Sequence, residues 1–189
     1  FANEIKTTAS ESGFIGEFRA DEMTWRGFLA NPDEQYGYQI HIVPKYYARG
    51  ILMHLGMDIT ASVDVNSHMH PLVYYTVRNL STVMAGNYAA PMEVSIESAA
   101  TNILSYGFKM SNGTQLFALW TNGVAVEHDP GINAILSLTF DREMPTNASG
   151  IDVLHGYSQP LEFEVEGNQL VIQDLKVKDY PIIIQFGKD

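Results

Sequence analysis

Three groups of side chains in this chain have the types and spacing to do chemistry. The first is GFIGEFRADEMTW, residues 13–25, where Glu17, Asp21 and Glu22 stand with Arg19 and Trp25 just after an apolar run. A carboxylate beside an arginine and near an aromatic suits sugar chemistry. The carboxylate can attack or stabilise an oxocarbenium-like centre while a ring stacks on a pyranose face. The plainer account is a solvated acidic loop. The second group is DVNSHMH, where Asp64, Asn66, His68 and His70 occupy alternate positions. On one continuous strand they would share a face and could hold a divalent metal. Pro71 opens a helix directly afterwards, so His70 reads as a cap-position residue and the others as loop polars. The expectation is no metal and no cofactor. The third group is His41, Lys45, Arg49 and His54, whose spacing places Lys45 near both His41 and Arg49 on one helix. It reads as a solvated basic face rather than a ligand set.

The elements that must position these groups follow from periodicity. Residues 13–17 read as a short buried strand ending in Glu17, and the polar stretch to about residue 33 reads as a loop. Residues 35–56 have apolar side chains at helical spacing and a stop at Gly56, with Pro44 placed to kink or restart the helix. DITASVDVN, 58–66, is a β-branched strand. Residues 71–85 form a second helix, with Pro71 in its first turn and Gly86 as its cap. After Gly86 the period changes from 3.6 to 2, which marks a boundary between residues 1–86 and 87–189. Eight strands are expected beyond it, MEVSIES, ILSYGFKM, QLFALWT, AILSLTF, IDVLHG, PLEFEVEG, QLVIQDL and YPIIIQF. They describe an antiparallel β-sandwich whose core includes Phe108, Leu116, Phe117, Leu119, Leu136, Leu138, Phe163, Val165, Ile182 and Ile184. The fold class is therefore α+β.

Composition narrows the function further. Eleven basic against twenty-two acidic residues give a net charge of −11, which opposes a nucleic-acid backbone. No apolar run approaches the roughly 18 residues of a membrane helix. The 189 residues include no cysteine, so disulfides, thiolate metal sites and cysteine nucleophiles are excluded. The compartment stays open, with a secreted or periplasmic setting preferred to the cytoplasm. There is no glycine-rich phosphate loop, GxSxG elbow or HExxH motif.

YYARGILMHLGMDITASVDV, then HPLVYYTVRNLSTVMAG, then a β region containing LFALW, IDVLHG and VKDYPIIIQF, resembles the C-terminal end of a clan-A type glycoside hydrolase. In that family a (β/α)8 barrel closes with a helix and runs into a β-sandwich. The resemblance implies that residues 1–86 carry the last two β/α units, with 13–17 as strand seven, 35–56 as helix seven, 59–65 as strand eight and 71–85 as helix eight. It makes Glu17 the nucleophile. Arg19, Trp25, Asp64, Asn66 and His68 would be sugar-binding residues at the barrel mouth. The family's acid/base glutamate should lie far upstream, and Asn3-Glu4 precedes a polar threonine-rich run, so that role is not transferred to Glu4. The chain thus reads as the tail of a longer glycosidase, inactive alone, whose partner is a carbohydrate substrate. Its open barrel segment predicts a homo-oligomer. The competing account is a non-catalytic sandwich that binds carbohydrate or supports a neighbouring domain, through Tyr106, Trp120 or Tyr157.

Overall fold

The structure, a computed structural model, describes residues 2–25, 27–28, 38–65, 71–140 and 143–187. Its first helix, α1 (Ala2–Glu11), buries no residue. It is tied to the body by Lys6, whose Nζ donates to Met57 O at 2.7 Å and to Asp58 O at 3.0 Å. These carbonyls follow α2 (Val43–Gly56), so a cation sits where a helix end presents unpaired oxygens. The sequence reading left this N-terminal segment as a polar run without a helix.

The strand expected at 13–17 is displaced. The chain turns after α1, leaves Ile15 fully exposed, and enters β1 (Arg19–Met23) only beyond Glu17. The apolar run that suggested the strand packs locally instead, with the Phe14 and Phe18 rings edge to face at 5.1 Å. Next come two short parallel segments, β2 (Gly27–Phe28) and β3 (Tyr38–Gln39). Helix α2 begins at Val43 rather than residue 35, with Pro44 in its first turn, where its missing N–H costs nothing. Residues 29–37 lie outside the described residues. The β4 strand (Thr60–Val63) then pairs in parallel with β1, Arg19 opposite Thr60 and Met23 opposite Val63. The last helix, α3 (Pro71–Met84), runs as its sequence predicts, and Gly86 reverses the chain at φ +74°. Among the described residues no helix is long and apolar enough to cross a membrane.

From residue 87 onward every strand pair is antiparallel. The strands are β5 (Asn87–Ala89), β6 (Glu93–Ser98), β7 (Ile103–Met110), β8 (Gln115–Thr121), β9 (Ile132–Thr139), β10 (Asn147–Asp152), β11 (Tyr157–Pro160), β12 (Glu164–Glu166), β13 (Gln169–Val177) and β14 (Ile182–Gly187). They form a six-stranded sheet ordered β11-β10-β14-β8-β7-β5 and a four-stranded sheet ordered β12-β13-β9-β6. The expected eight-stranded sandwich therefore gains β5 and β11, which are short and carry too little apolar pattern to be legible. IDVLHG is divided: the strand ends at Asp152 and the remainder is a turn.

The six-stranded sheet is covered on both faces. Along β8, Phe117 and Leu119 face the four-stranded sheet in a core with Leu136, Leu138, Leu170 and Ile172. Leu116, Ala118 and Trp120 face the other way, against Ala48, Ile51, Leu52, Leu80 and Met84 of the two long helices. A strand buried on both faces reads as a continuous apolar run, which explains QLFALW. The helices and the sandwich share this second core across the boundary expected at residue 86. Val165, expected inside, is 53% exposed because β12 is an edge strand whose residues all face solvent.

Leu119→Ala should lower stability by about 2–5 kcal/mol, since the site is fully enclosed and cannot collapse. Val165→Ala should change it by no more than about 0.5 kcal/mol. Urea unfolding of both variants measures the difference.

Candidate functional site

The parallel pair β1–β4 has two unlike faces. Met23, Ala61 and Val63 pack against the core beneath α2 and α3. The opposite face is left to polar side chains, with Ser62 and Asp64 exposed. Between Ala20 and Met23 the register slips, so Asp21 and Glu22 together stand opposite the single residue Ser62. Such a bulge re-aims side chains, and both acids project into solvent.

Direction along the strands separates the expected site residues. Glu17 lies before β1, at the end where the strand begins, and its carboxylate accepts a hydrogen bond from Thr60 Oγ1 at the start of β4. Glu22, Thr24, Trp25 and Asp64 lie at the other end, where both strands finish. There Asp64 N donates to Met23 O at 3.1 Å. The expectation that a strand delivers Glu17 at its C-terminal end is thus corrected to a strand that starts after it. Arg19 is exposed and makes a loose pair with Asp21, Nε to Oδ1 at 3.7 Å. Asn66 and His68, and with them the proposed alternation to His70, lie outside the described residues. Among the described residues no cluster of histidine, aspartate and glutamate could hold a metal.

Trp25 is half-buried. Its ring meets Tyr47 edge to face at 5.0 Å and lies over Gly50, whose missing Cβ leaves room for it. Tyr47 in turn is fully buried, donates to Asp64 O at 2.9 Å and stands 3.1 Å from Thr24 Oγ1. The Trp25–Tyr47 pair therefore fixes the finishing ends of β1 and β4 to α2.

The basic group on α2 is not a solvated face. Lys45 and Arg49 are buried and point into the sandwich. Lys45 Nζ donates to Asp179 Oδ1 at 2.7 Å and to Val126 O at 2.6 Å, while Val126 N donates to Asp179 Oδ2 at 2.7 Å. Arg49 donates from Nε to Asp179 O and from Nη1 to Gly123 O, both at 2.6 Å. Burial lowers the Arg49 guanidinium from its ordinary value, and the charge of Asp179 opposes that shift. Asp129 completes the set, taking Asp179 N on Oδ2 at 2.6 Å. Lys45 and Arg49 share one helix as expected, whereas His41 precedes it and is exposed; spacing alone cannot tell that the facing surface supplies a carboxylate 134 residues beyond Lys45.

A second polar group sits where IDVLHG turns. Asp152 Oδ1 accepts from Leu154 N and His155 N, and Oδ2 accepts from the Tyr180 hydroxyl at 2.9 Å, with His155 Nδ1 at 3.0 Å. Burial first, and the Asp152 charge second, push the Tyr180 phenol well above its ordinary value of 10.0. Of the three aromatics considered for carbohydrate binding, Trp120 is fully buried, Tyr106 lies against it at 5.8 Å, and Tyr157 is 71% exposed.

No model of a known protein family matches the chain, and no curated protein matches it.

Asp179→Ala should cost about 3–5 kcal/mol in urea unfolding, because it strands the Lys45 ammonium in the interior. Asp179→Asn, which keeps the acceptor, should cost less. Tyr180 gives a pH signature. Its folded-state pKa is raised, so its contribution to stability is complete below the unfolded phenol's pKa and declines as pH climbs above 10. Tyr180→Phe should remove that alkaline component, seen as a shallower loss of thermal midpoint above pH 10.

Proposed function

We propose that the chain is the C-terminal part of a retaining glycoside hydrolase, residues 1–86 carrying the last two β/α units of a (β/α)8 barrel and residues 87–189 the sandwich that follows. The observation that carries this reading is the two-faced parallel pair. Strands β1 and β4 lie parallel with α2 between them in sequence, α3 follows, and among the described residues apolar contacts occupy one face only. Parallel strands are ordinarily covered on both faces. In a barrel the face turned away from the helices is the interior, and catalytic groups gather where the strands end.

This direction moves the nucleophile from Glu17 to Glu22. Glu22 is the carboxylate of β1 nearest the finishing end, on the bulge, and Asp64 follows the last residue of β4 at the same end. In the proposed reaction the Glu22 carboxylate attacks the anomeric carbon as the glycosidic C–O bond breaks, and a second carboxyl group protonates the departing oxygen. Water then attacks the anomeric carbon, passes a proton to that second group, and releases Glu22 from the glycosyl ester. The second carboxyl belongs to the part of the barrel outside residues 1–189, so the isolated chain is inactive. Asp64 remains a candidate for contacts to sugar hydroxyls, Arg19 stands at the starting end of β1 away from it, and Trp25 acts through packing. The edges of β1 and β4, unpaired among the described residues, are covered in this reading by the remaining barrel strands, or in the isolated chain by a second copy.

In the enzyme containing this segment, a 2-deoxy-2-fluoroglycosyl fluoride should leave a covalent label on the peptide holding Glu22, mapped by tandem mass spectrometry. A label on Glu17 would return the role to that residue. A label outside residues 1–189 would remove the nucleophile from this chain and with it the site assignment.

A further inference from the structure

A cleft of about 390 Å³ opens on the sandwich, far along the sequence from the strand ends just described. It lies beside two edge strands, β11 of the six-stranded sheet and β12 of the four-stranded sheet, where the chain crosses from one sheet to the other through Leu161–Phe163. Ile172, Leu175 and Ile182 give it an apolar floor, and Gly150 lets Leu161 approach the sheet closely. The volume falls in the ordinary range for small-molecule sites, which combine apolar lining with a few directed polar groups.

Two features of the rim are not explained by packing. Tyr157 is 71% exposed, the most open tyrosine among the exposed large side chains, yet its ring is not loose. It lies nearly parallel to the His155 ring, 10° between planes and 6.0 Å between centroids, and His155 is held in turn by Asp152. The second feature is a bulge in β13. Register shifts between Ile172 and Leu175, and Asp174 takes a left-handed conformation at φ +50°. Non-glycine residues adopt that region at a cost, asparagine and aspartate least reluctantly. Strict alternation would turn one of Gln173 and Asp174 inward. The bulge instead leaves both exposed, at the lip of the cleft.

We infer that this cleft is a binding site for a neutral saccharide, with Tyr157 as the stacking platform and Gln159, Gln173 and Asp174 as hydroxyl-binding groups. A ring held by a neighbour presents an apolar surface at low entropic cost, which suits the C–H face of a pyranose. Amide and carboxylate groups together supply donors and acceptors for adjacent hydroxyls. The exposed charges at the rim are of both signs, Glu162 and Asp174 against Lys176, so the site offers no field for a phosphate or a polyanion. This assignment does not depend on the barrel reading, and either can fail without the other.

The test is a titration of the full chain with neutral mono- and disaccharides, followed by amide chemical shifts. At least one sugar should give saturable shifts confined to β11, the 152–157 turn and the β13 bulge. Tyr157→Ala should weaken that binding about tenfold or more, Tyr157→Phe should retain it, and Asp174→Ala should weaken it. Tyr88→Ala, at another exposed tyrosine, on β5, should leave it unchanged. Because Tyr157 is exposed, an unchanged circular dichroism spectrum separates lost binding from lost folding. Absence of saturable shifts across the panel, or wild-type affinity in Tyr157→Ala, would overturn the proposal.

Discussion

The structure depends on the carboxylate of Asp179. It is buried between α2 and the loops of the sandwich, and it receives the Lys45 ammonium on one oxygen and the Val126 amide on the other. Its own backbone carbonyl takes Arg49, and its amide is held by Asp129. Two buried cations on one helix would be untenable without these partners, since an unpaired charge in the interior is costly and the pair offsets it only with good geometry. The consequence is directional. Apolar contact between the helices and the six-stranded sheet would tolerate sliding, whereas this set of short polar contacts has one solution. The clasp therefore fixes which turn of α2 meets the loops at the end of the sheet.

Once α2 is fixed, much else follows. Trp25 and Tyr47 tie the finishing ends of β1 and β4 to the same helix, and Lys6 ties α1 to its other end. Gly56 lets the Tyr106 ring lie directly on the last turn, bringing the helix close to β7. The β1–β4 pair is thus held as a small rigid ledge with one face against the helices and one polar face turned away. The proposed hydrolase site stands on that ledge, while the proposed saccharide cleft lies on the sandwich, where the chain crosses from one sheet to the other. Their separation follows from the layering, because each site occupies a surface the shared cores leave uncovered.

Several elements were legible because their burial is one-dimensional. ILSYGFKM and QLFALWT are strands at the expected residues, and α3 starts and stops where Pro71 and Gly86 suggest. Edge strands were harder. β11 buries no side chain, so hydrophobic periodicity has nothing to report there, and β12, expected within PLEFEVEG, is a strand whose Val165 turns outward. The apolar run before Glu17 failed for a different reason. Phe14 and Ile15 have the composition of a buried strand, but both are exposed, and the Phe14 ring meets Phe18, which Lys6 of α1 overlies. The bulge at Gln173-Asp174 did leave a signal, two consecutive polar residues interrupting QLVIQDLKV, although its meaning required the partner strand.

By itself the sequence determined the α+β class, the exclusion of thiol chemistry, the two helices that flank β4 and most strands, and the apolar residues of the central sheet. Each of these depends on local periodicity or on composition, which neighbouring residues carry. Tertiary structure alone decided that Lys45 and Arg49 are interior clasps rather than a solvated face. It also decided that Glu17 precedes its strand, leaving Glu22 and Asp64 at the finishing ends, and that Tyr157 rather than Trp120 meets solvent. All of these turn on partners far away in the chain, and a charge or an aromatic ring has the same sequence signature whether or not such a partner arrives.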